Sequence, residues 1–202
     1  MKTAISRHTQ TDTKALILRE AQTLLLTRSY GGLSFQELAE RVGIRKASLY
    51  HHFASKEALG IALLEKSRTQ FVRWSQAQQG QAAVQQLQAY VRMFRDAIGA
   101  GQRVCPLGAT ACGWDALEPA LQSAVQQLHQ TQLQWLSAVV AQWHVDMGGD
   151  TQPAATLAAQ RALQINAMLQ GALISARVQG DAQVFDMALA PLQQALVTPQ
   201  GV

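Results

Sequence analysis

The chain has 202 residues, 48% of them hydrophobic, which is enough to close one sizeable core or a small domain joined to a larger one without a metal or disulfide. Its 17 Lys/Arg against 13 Asp/Glu give a net charge of +4, and 14 glycines with 5 prolines are too few for a disordered or collagen-like chain. No apolar run approaches the roughly 18 residues of a membrane span, and the opening MKTAISRHTQTDTK lacks the apolar stretch of a secretory signal. A cytoplasmic protein with no membrane partner is expected.

The scarcity of Val/Ile alternation and the low frequency of Gly and Pro breaks point to an all-α fold. Two cysteines, Cys105 and Cys112, are too few for a disulfide scaffold in a reducing compartment. Only His129 and His144, distant in sequence, could join them as ligands, so neither a metal nor a cofactor is expected. Scattered His and Cys residues also supply no organised nucleophile or acid/base pair, which speaks against an enzyme. Charge is unevenly spread: residues 1 to 70 hold 11 Lys/Arg against 6 Asp/Glu, whereas residues 71 to 202 hold 6 against 7. A polyanion partner for the first third accounts for that surplus, because phosphate neutralisation supplies most nonspecific affinity for DNA.

In chain order, residues 12 to 29 repeat apolar groups at Leu16, Ile17, Ala21, Leu24 and Leu25, the spacing of one buried helical stripe. Gly31 and Gly32 are predicted to end that helix. Ser34 and Glu37 form a capping-box pattern for a second helix carrying Phe35, Leu38, Ala39 and Val42 inward, and Gly43 closes it after little more than two turns. A third helix is predicted from about Arg45 to Phe53. Ile44, Ala47, Leu49, Tyr50 and Phe53 divide between its buried side and margins, leaving Arg45, Lys46, Ser48, His51 and His52 outward. Arg and Lys there can reach guanine edges or phosphates, and Ser, Tyr and His can hold phosphate oxygens. Ser55 is the N-cap of a fourth helix. Lys56 in its first turn opposes the helix dipole, a placement that a nearby phosphate would offset.

The stretch Gly31 to Ala62 resembles the DNA-binding domain of the TetR/AcrR family of transcriptional regulators, through Leu49, Tyr50, His51, His52, Phe53 followed by Lys56, Glu57 and Leu59. The resemblance implies a helix-turn-helix domain over residues 1–58 and a helical ligand-binding and dimerisation domain over 59–202. It implies that Ser34, Arg45, Lys46, Ser48, Tyr50, His51 and Lys56 face DNA, while Phe35, Leu38, Ala39, Val42, Ile44, Leu49 and Phe53 form the core. Where the family usually caps the recognition helix with Ser or Thr, this chain has Arg45. The exchange loses a cap worth about 0.5–2 kcal/mol and gains a charge.

Beyond the fourth helix, which continues through Ile61, Leu64, Phe71 and Trp74, further helices are predicted over 82 to 98, 117 to 145 and 154 to 178. Pro153 suits the start of the 154 to 178 segment, whose many small residues, Ala154, Ala155, Ala158, Ala159, Ala162, Ala167, Gly171, Ala172 and Ala176, allow close helix contact. Asp181 caps a final helix. The resemblance implies that the last two helices pair with a second copy. Independently, two recognition helices a helical turn apart can read a palindromic double-stranded operator, which one cannot, so a homodimer is expected.

The resemblance also implies a small-molecule effector pocket among these helices, lined by Phe71, Trp74, Phe94, Cys105, Leu107, Trp114, Trp135 and Met168. The absence of a dense charge cluster there favours a small, mostly apolar effector. The segment RVCPLGATACGWDALEPAL, with Cys105, Leu107, Gly108 and Glu118, resembles the cysteine-leucine-glycine segment of a branch that includes regulators answering to electrophiles or oxidants. Cys105 precedes Pro106 at the start of a short helix and follows Arg103, features that stabilise a thiolate; as a small buried hydrophobe it would be inert. The function implied is ligand-responsive repression, with activation or thiol sensing through Cys105 as the alternatives.

Overall fold

The computed structural model describes residues 2–149 and 155–197, with side chains over 12–149 and 155–196. Every regular element among them is helical: α1 (Lys2–Arg28), α2 (Phe35–Val42), α3 (Lys46–His52), α4 (Lys56–Ala77), α5 (Ala83–Ala97), α6 (Pro106–Ala111), a 3-10 turn (Trp114–Ala116), α7 (Pro119–Asp146), α8 (Ala155–Gln179) and α9 (Gln183–Val197). The all-α expectation holds. Among the described residues no helix is long and apolar enough to cross a membrane. Pro153 and Ala154 lie outside the described residues.

Two compact units are present. The first takes the chain up to Ser67 together with Pro106–Gln126, and the second takes Arg68–Cys105 together with the chain from Gln127 onward. Both α4 and α7 therefore run from one unit into the other as unbroken helices.

In the first unit α1 packs on α2 and α6, and α2 on α3. Ile17, Ala21, Leu24 and Leu25 form the buried stripe of α1, with Leu16 half-buried at its margin. Leu38, Leu49, Leu59 and Leu63 of the same unit are likewise sealed from solvent. At about 1.5–3 kcal/mol for each such side chain, this burial holds together helices too short to persist alone. The end of α1 differs from expectation. It stops at Arg28, and Ser29, not a glycine, takes the left-handed conformation at φ 62°. The next amide, on Tyr30, donates to the Ala109 carbonyl at 2.9 Å and so turns the chain onto α6. Gly32 serves close approach instead: a Cβ there would lie 2.6 Å from the Arg28 carbonyl oxygen.

In the second unit α8 and α9 pack together, and α5 packs on both. The Arg95 Nε donates to both carboxylate oxygens of Asp186, at 2.7 and 2.9 Å, tying α5 to α9. Asp181 caps α9 by accepting from the Gln183 amide at 2.8 Å. The small residues of α8 divide between two faces. Ala158, Ala162, Ala172 and Ala176 are buried, whereas Ala155, Ala159, Ala167 and Gly171 are exposed.

Candidate nucleic-acid interface and effector site

The helix pair α2–α3 is built by local signals. Ser34 is extended at φ −114°, ψ 129°, and its hydroxyl accepts from the Glu37 amide. The Glu37 carboxylate does not close the box back onto Ser34. It pairs instead with Arg28 at 2.5 Å and Arg41 at 2.9 Å, joining α2 to the end of α1. Gly43, at φ 74°, turns the chain out of α2 in a left-handed conformation that strains any residue with a Cβ. Arg45 then occupies the N-cap of α3 without any side-chain cap hydrogen bond. Its missing cap leaves the guanidinium free to point elsewhere.

On α3, Leu49 faces the core with no exposure, and Phe53 follows it inward. Arg45, Lys46, Ala47, Tyr50 and His51 are exposed, with Ser48 and His52 half-buried. Tyr50 lays its ring 5.1 Å from Phe35 yet leaves half its surface in solvent, a large aromatic held rigidly at the edge. Among the described residues Arg45 and Lys46 form no ion pair, in contrast to Arg28 and Arg41. The helix thus presents uncompensated cations and hydroxyls together, the groups that hold phosphates and read base edges. Ala47 sits at the centre of this outward face, where its methyl group suits a thymine methyl. The sequence pattern sets it with the buried side and margins of the helix, but it is exposed, because alanine is neutral to burial. Val42 and Ile44, expected in the core, are only half-buried.

Lys56 has a partner inside the chain. Its Nζ donates to the Gly31 carbonyl oxygen at 3.0 Å and lies 4.8 Å from the Tyr30 ring centroid. Partial burial lowers its pKa. Tyr30 is shifted upward, first by burial and then by the charges of Glu57 and Glu118. Ser55 caps α4 as expected, accepting from the Ala58 amide at 3.0 Å.

The second unit contains an aromatic cluster. Phe71 and Trp74 of α4, Tyr90 and Phe94 of α5 and Trp135 of α7 lie with ring centroids 5.0–6.2 Å apart wherever they touch. Edge-on pairs dominate, an arrangement worth about 0.5–1.5 kcal/mol per pair beyond area burial. Tyr90 stands at the centre and touches the other four. It falls within the helix predicted over 82 to 98, whose pattern does not single it out. Its hydroxyl donates to Asn166 Oδ1 at 3.5 Å, and burial, followed by the charge of Cys105, drives its pKa well above the ordinary tyrosine value.

Cys105 belongs to the same unit, is 7% exposed, and donates its thiol hydrogen to Gln170 Oε1 at 3.0 Å. Cys112 is exposed, and both cysteines are free thiols. Leu107 is buried in α6 and Trp114 half-buried in the 3-10 turn, both in the first unit, and Met168 is exposed on α8. Asn166, Gln132 and Gln170 were missed, since lone amides on apolar helices carry no pattern.

Comparison with known proteins accords with both halves of this geometry. Residues 17–63 match the family described as bacterial regulatory proteins, tetR family, and residues 83–190 match the C-terminal domain of LmrA/YxaF-like transcriptional regulators. The HTH-type transcriptional repressor NemR of Escherichia coli is 39% identical over 62 residues, covering 31% of this chain and 31% of that protein. The HTH-type transcriptional regulator EthR of Mycolicibacterium smegmatis is 39% identical over 54 residues, 27% of this chain and 25% of that protein. The chain thus spans about a third or less of the curated relatives it matches.

Over nearly the whole length, the crystal structure of a TetR-family transcriptional regulator from Agrobacterium tumefaciens superposes with a TM-score of 0.82 at 26% identity, covering 91% of this chain and 97% of that one. The reduced form of E. coli NemR shares the fold, with a TM-score of 0.74 at 22% identity over 94% of this chain and 100% of its own. With profiles matched across both the helix-turn-helix and the C-terminal helices, this chain belongs to the TetR family of bacterial regulatory proteins.

Proposed function

We propose that this chain is a ligand-responsive transcriptional repressor that binds a partly palindromic DNA operator as a homodimer and is released by a small, mostly apolar or electrophilic effector. Residues 1–58 make the DNA contacts, through Ser34, Arg45, Lys46, Ser48, Tyr50, His51 and Lys56, and 59–202 bind effector and partner. The observation that carries the first part is the α3 surface, where Arg45 and Lys46 stand exposed beside Tyr50 with no intramolecular ion pair among the described residues. Repression is favoured over activation because NemR, a relative 39% identical over 62 residues, is named a repressor.

The aromatic cluster with Cys105 beside it supports the effector site. Phe71 and Trp74 sit on α4, the same unbroken helix whose first turn follows α3. An effector that displaces them therefore acts on the helix that follows the recognition helix in the chain. A hundredfold preference for the state released from DNA corresponds to about 2.7 kcal/mol, well within what one small molecule supplies.

Support for the homodimer comes from α8 and α9. Leu163, Met168, Ile174 and Val178 on α8 and Met187 on α9 are large apolar side chains left exposed, with Leu163, Ile174 and Val178 on one face of α8.

An electrophoretic shift assay with duplex fragments flanking the gene tests the assignment. A retarded complex that salt weakens is expected. Folded protein that ignores both these fragments and bulk duplex at micromolar concentration in low salt would overturn it. An unchanged effector response in Cys105→Ser would exclude a thiol-based trigger and leave noncovalent binding.

A further inference from the structure

Two buried amide atoms in the second unit have no hydrogen-bond partner among the described residues: Gln132 Oε1 and Gln170 Nε2. Gln132 is only 8% exposed, on the buried face of α7 between Leu128 and Leu136 and one turn before Trp135 of the aromatic cluster. Gln170 is one turn beyond Asn166 on α8, and its other amide atom receives the Cys105 thiol. Asn166 in turn accepts from Tyr90, whose ring touches Trp135. The acceptor thus stands one helical turn from a ring of the aromatic cluster and the donor one turn from the residue that binds Tyr90, and each costs about 1–3 kcal/mol while unsatisfied.

Ordinary packing would place leucine at such positions. Among the described residues, the side chains buried in this unit also include no charged group, so a charged guest would shed its hydration without a counter-charge.

We propose that the effector site takes an uncharged, planar aromatic molecule that carries both a carbonyl-type acceptor for Gln170 Nε2 and an N–H or O–H donor for Gln132 Oε1. This rests on the effector site proposed above and specifies its chemistry. Stacking among the rings supplies affinity that is indifferent to polar substituents. The two amides supply discrimination, since a guest lacking the matching groups leaves them unpaired.

Isothermal titration calorimetry on the full chain tests this with three bicyclic probes of similar size: 2-quinolinone, which has both groups, naphthalene, which has neither, and 2-naphthoate, which is anionic. 2-Quinolinone is expected to bind at least about tenfold more tightly than either other probe, the equivalent of about 1.4 kcal/mol. Gln132→Leu and Gln170→Leu should erase that preference while still binding naphthalene. Gln132→Leu should also melt above the parent chain when no probe is present, because it removes an unsatisfied buried atom, so a folding failure in that variant counts against the proposal. Equal binding of 2-quinolinone and naphthalene, abolished together by Trp135→Ala, would overturn the amide role and leave the effector site standing. Binding of none of the three would overturn both.

Discussion

Lys56 Nζ donates to the carbonyl oxygen of Gly31, 25 residues earlier, and its charge rests on the face of Tyr30. A cation in the first turn of a helix faces an unfavourable dipole, yet here it satisfies a carbonyl just past the C-terminus of α1, where positive charge is favoured. The lysine therefore fastens the start of α4 to the end of α1. Replacing it with methionine keeps the stem and removes the donor and the charge. Lys56→Met should lower unfolding free energy by about 1–2 kcal/mol in urea titrations, from one hydrogen bond and one cation–π contact. Undiminished stability with weakened operator binding would show that the ammonium serves phosphate and not Gly31.

Arg45 occupies a cap position that it does not use as a cap. Arg45→Ser should therefore separate two properties that usually move together. A serine hydroxyl there can accept from an amide of the first turn of α3 and stabilise the fold by about 0.5–2 kcal/mol. The same change removes a cation from the recognition surface, so operator affinity should fall and the slope of log affinity against log salt should shrink by about 1. Melting temperature and fluorescence anisotropy on one sample check both. Operator binding at parental strength and salt dependence would remove Arg45 from the interface.

The contrast between these two residues shows what the sequence makes legible. Ser34, Gly43, Ser55 and Asp181 act on backbone groups within a few residues of themselves, so their roles follow from local spacing and appear as expected. Lys56 acts on Gly31, and Tyr30 on Ala109, across separations that no local pattern encodes. The same distinction divides the effector residues. Phe71, Trp74, Phe94 and Trp135 come together because large aromatics seek burial wherever the helices put them. Met168, which the resemblance places at the pocket, stands on a helix apolar on more than one side, and such a helix gives no phase by which to tell its inner face from its outer. It lies on the outer one.

Tyr90 gives the second unit a sign-defined pH dependence. Burial, and secondarily the charge of Cys105, raises its pKa above the ordinary 10.0. The folded protein then holds a proton that the unfolded chain releases. The associated stability is intact below about pH 10, the unfolded value, and falls as pH rises above it. Tyr90→Phe removes the ionisable group and loses only a 3.5 Å hydrogen bond to Asn166. Chemical denaturation between pH 9 and 11, roughly the range over which an unfolded tyrosine ionises, should show a shallower decline for the variant. Parallel declines in the two proteins would mean that Tyr90 ionises without cost in the fold.

The outer face of α8 offers the most direct access to the quaternary state. Ile174 is 53% exposed and Val178 81%, one turn apart, while the helix's inner face is already filled by Leu169, Ala172, Leu173 and Ala176. A substitution at Ile174 therefore touches no core packing, and exposed changes of this kind alter monomer stability by no more than about 0.5 kcal/mol. In a twofold dimer each substitution acts twice. Ile174→Glu would forfeit apolar burial worth about 1.5–3 kcal/mol per side chain on both copies and add two like charges to one interface. Sedimentation velocity should show the variant at the chain mass of 22.0 kDa under conditions where the parent runs at twice that value. Its operator affinity should fall by at least about a hundredfold, because a single recognition helix loses the second half-site. If Ile174→Glu sediments as a dimer, α8 is not the pairing surface; if the parent binds its operator as a monomer, the palindromic mechanism itself fails.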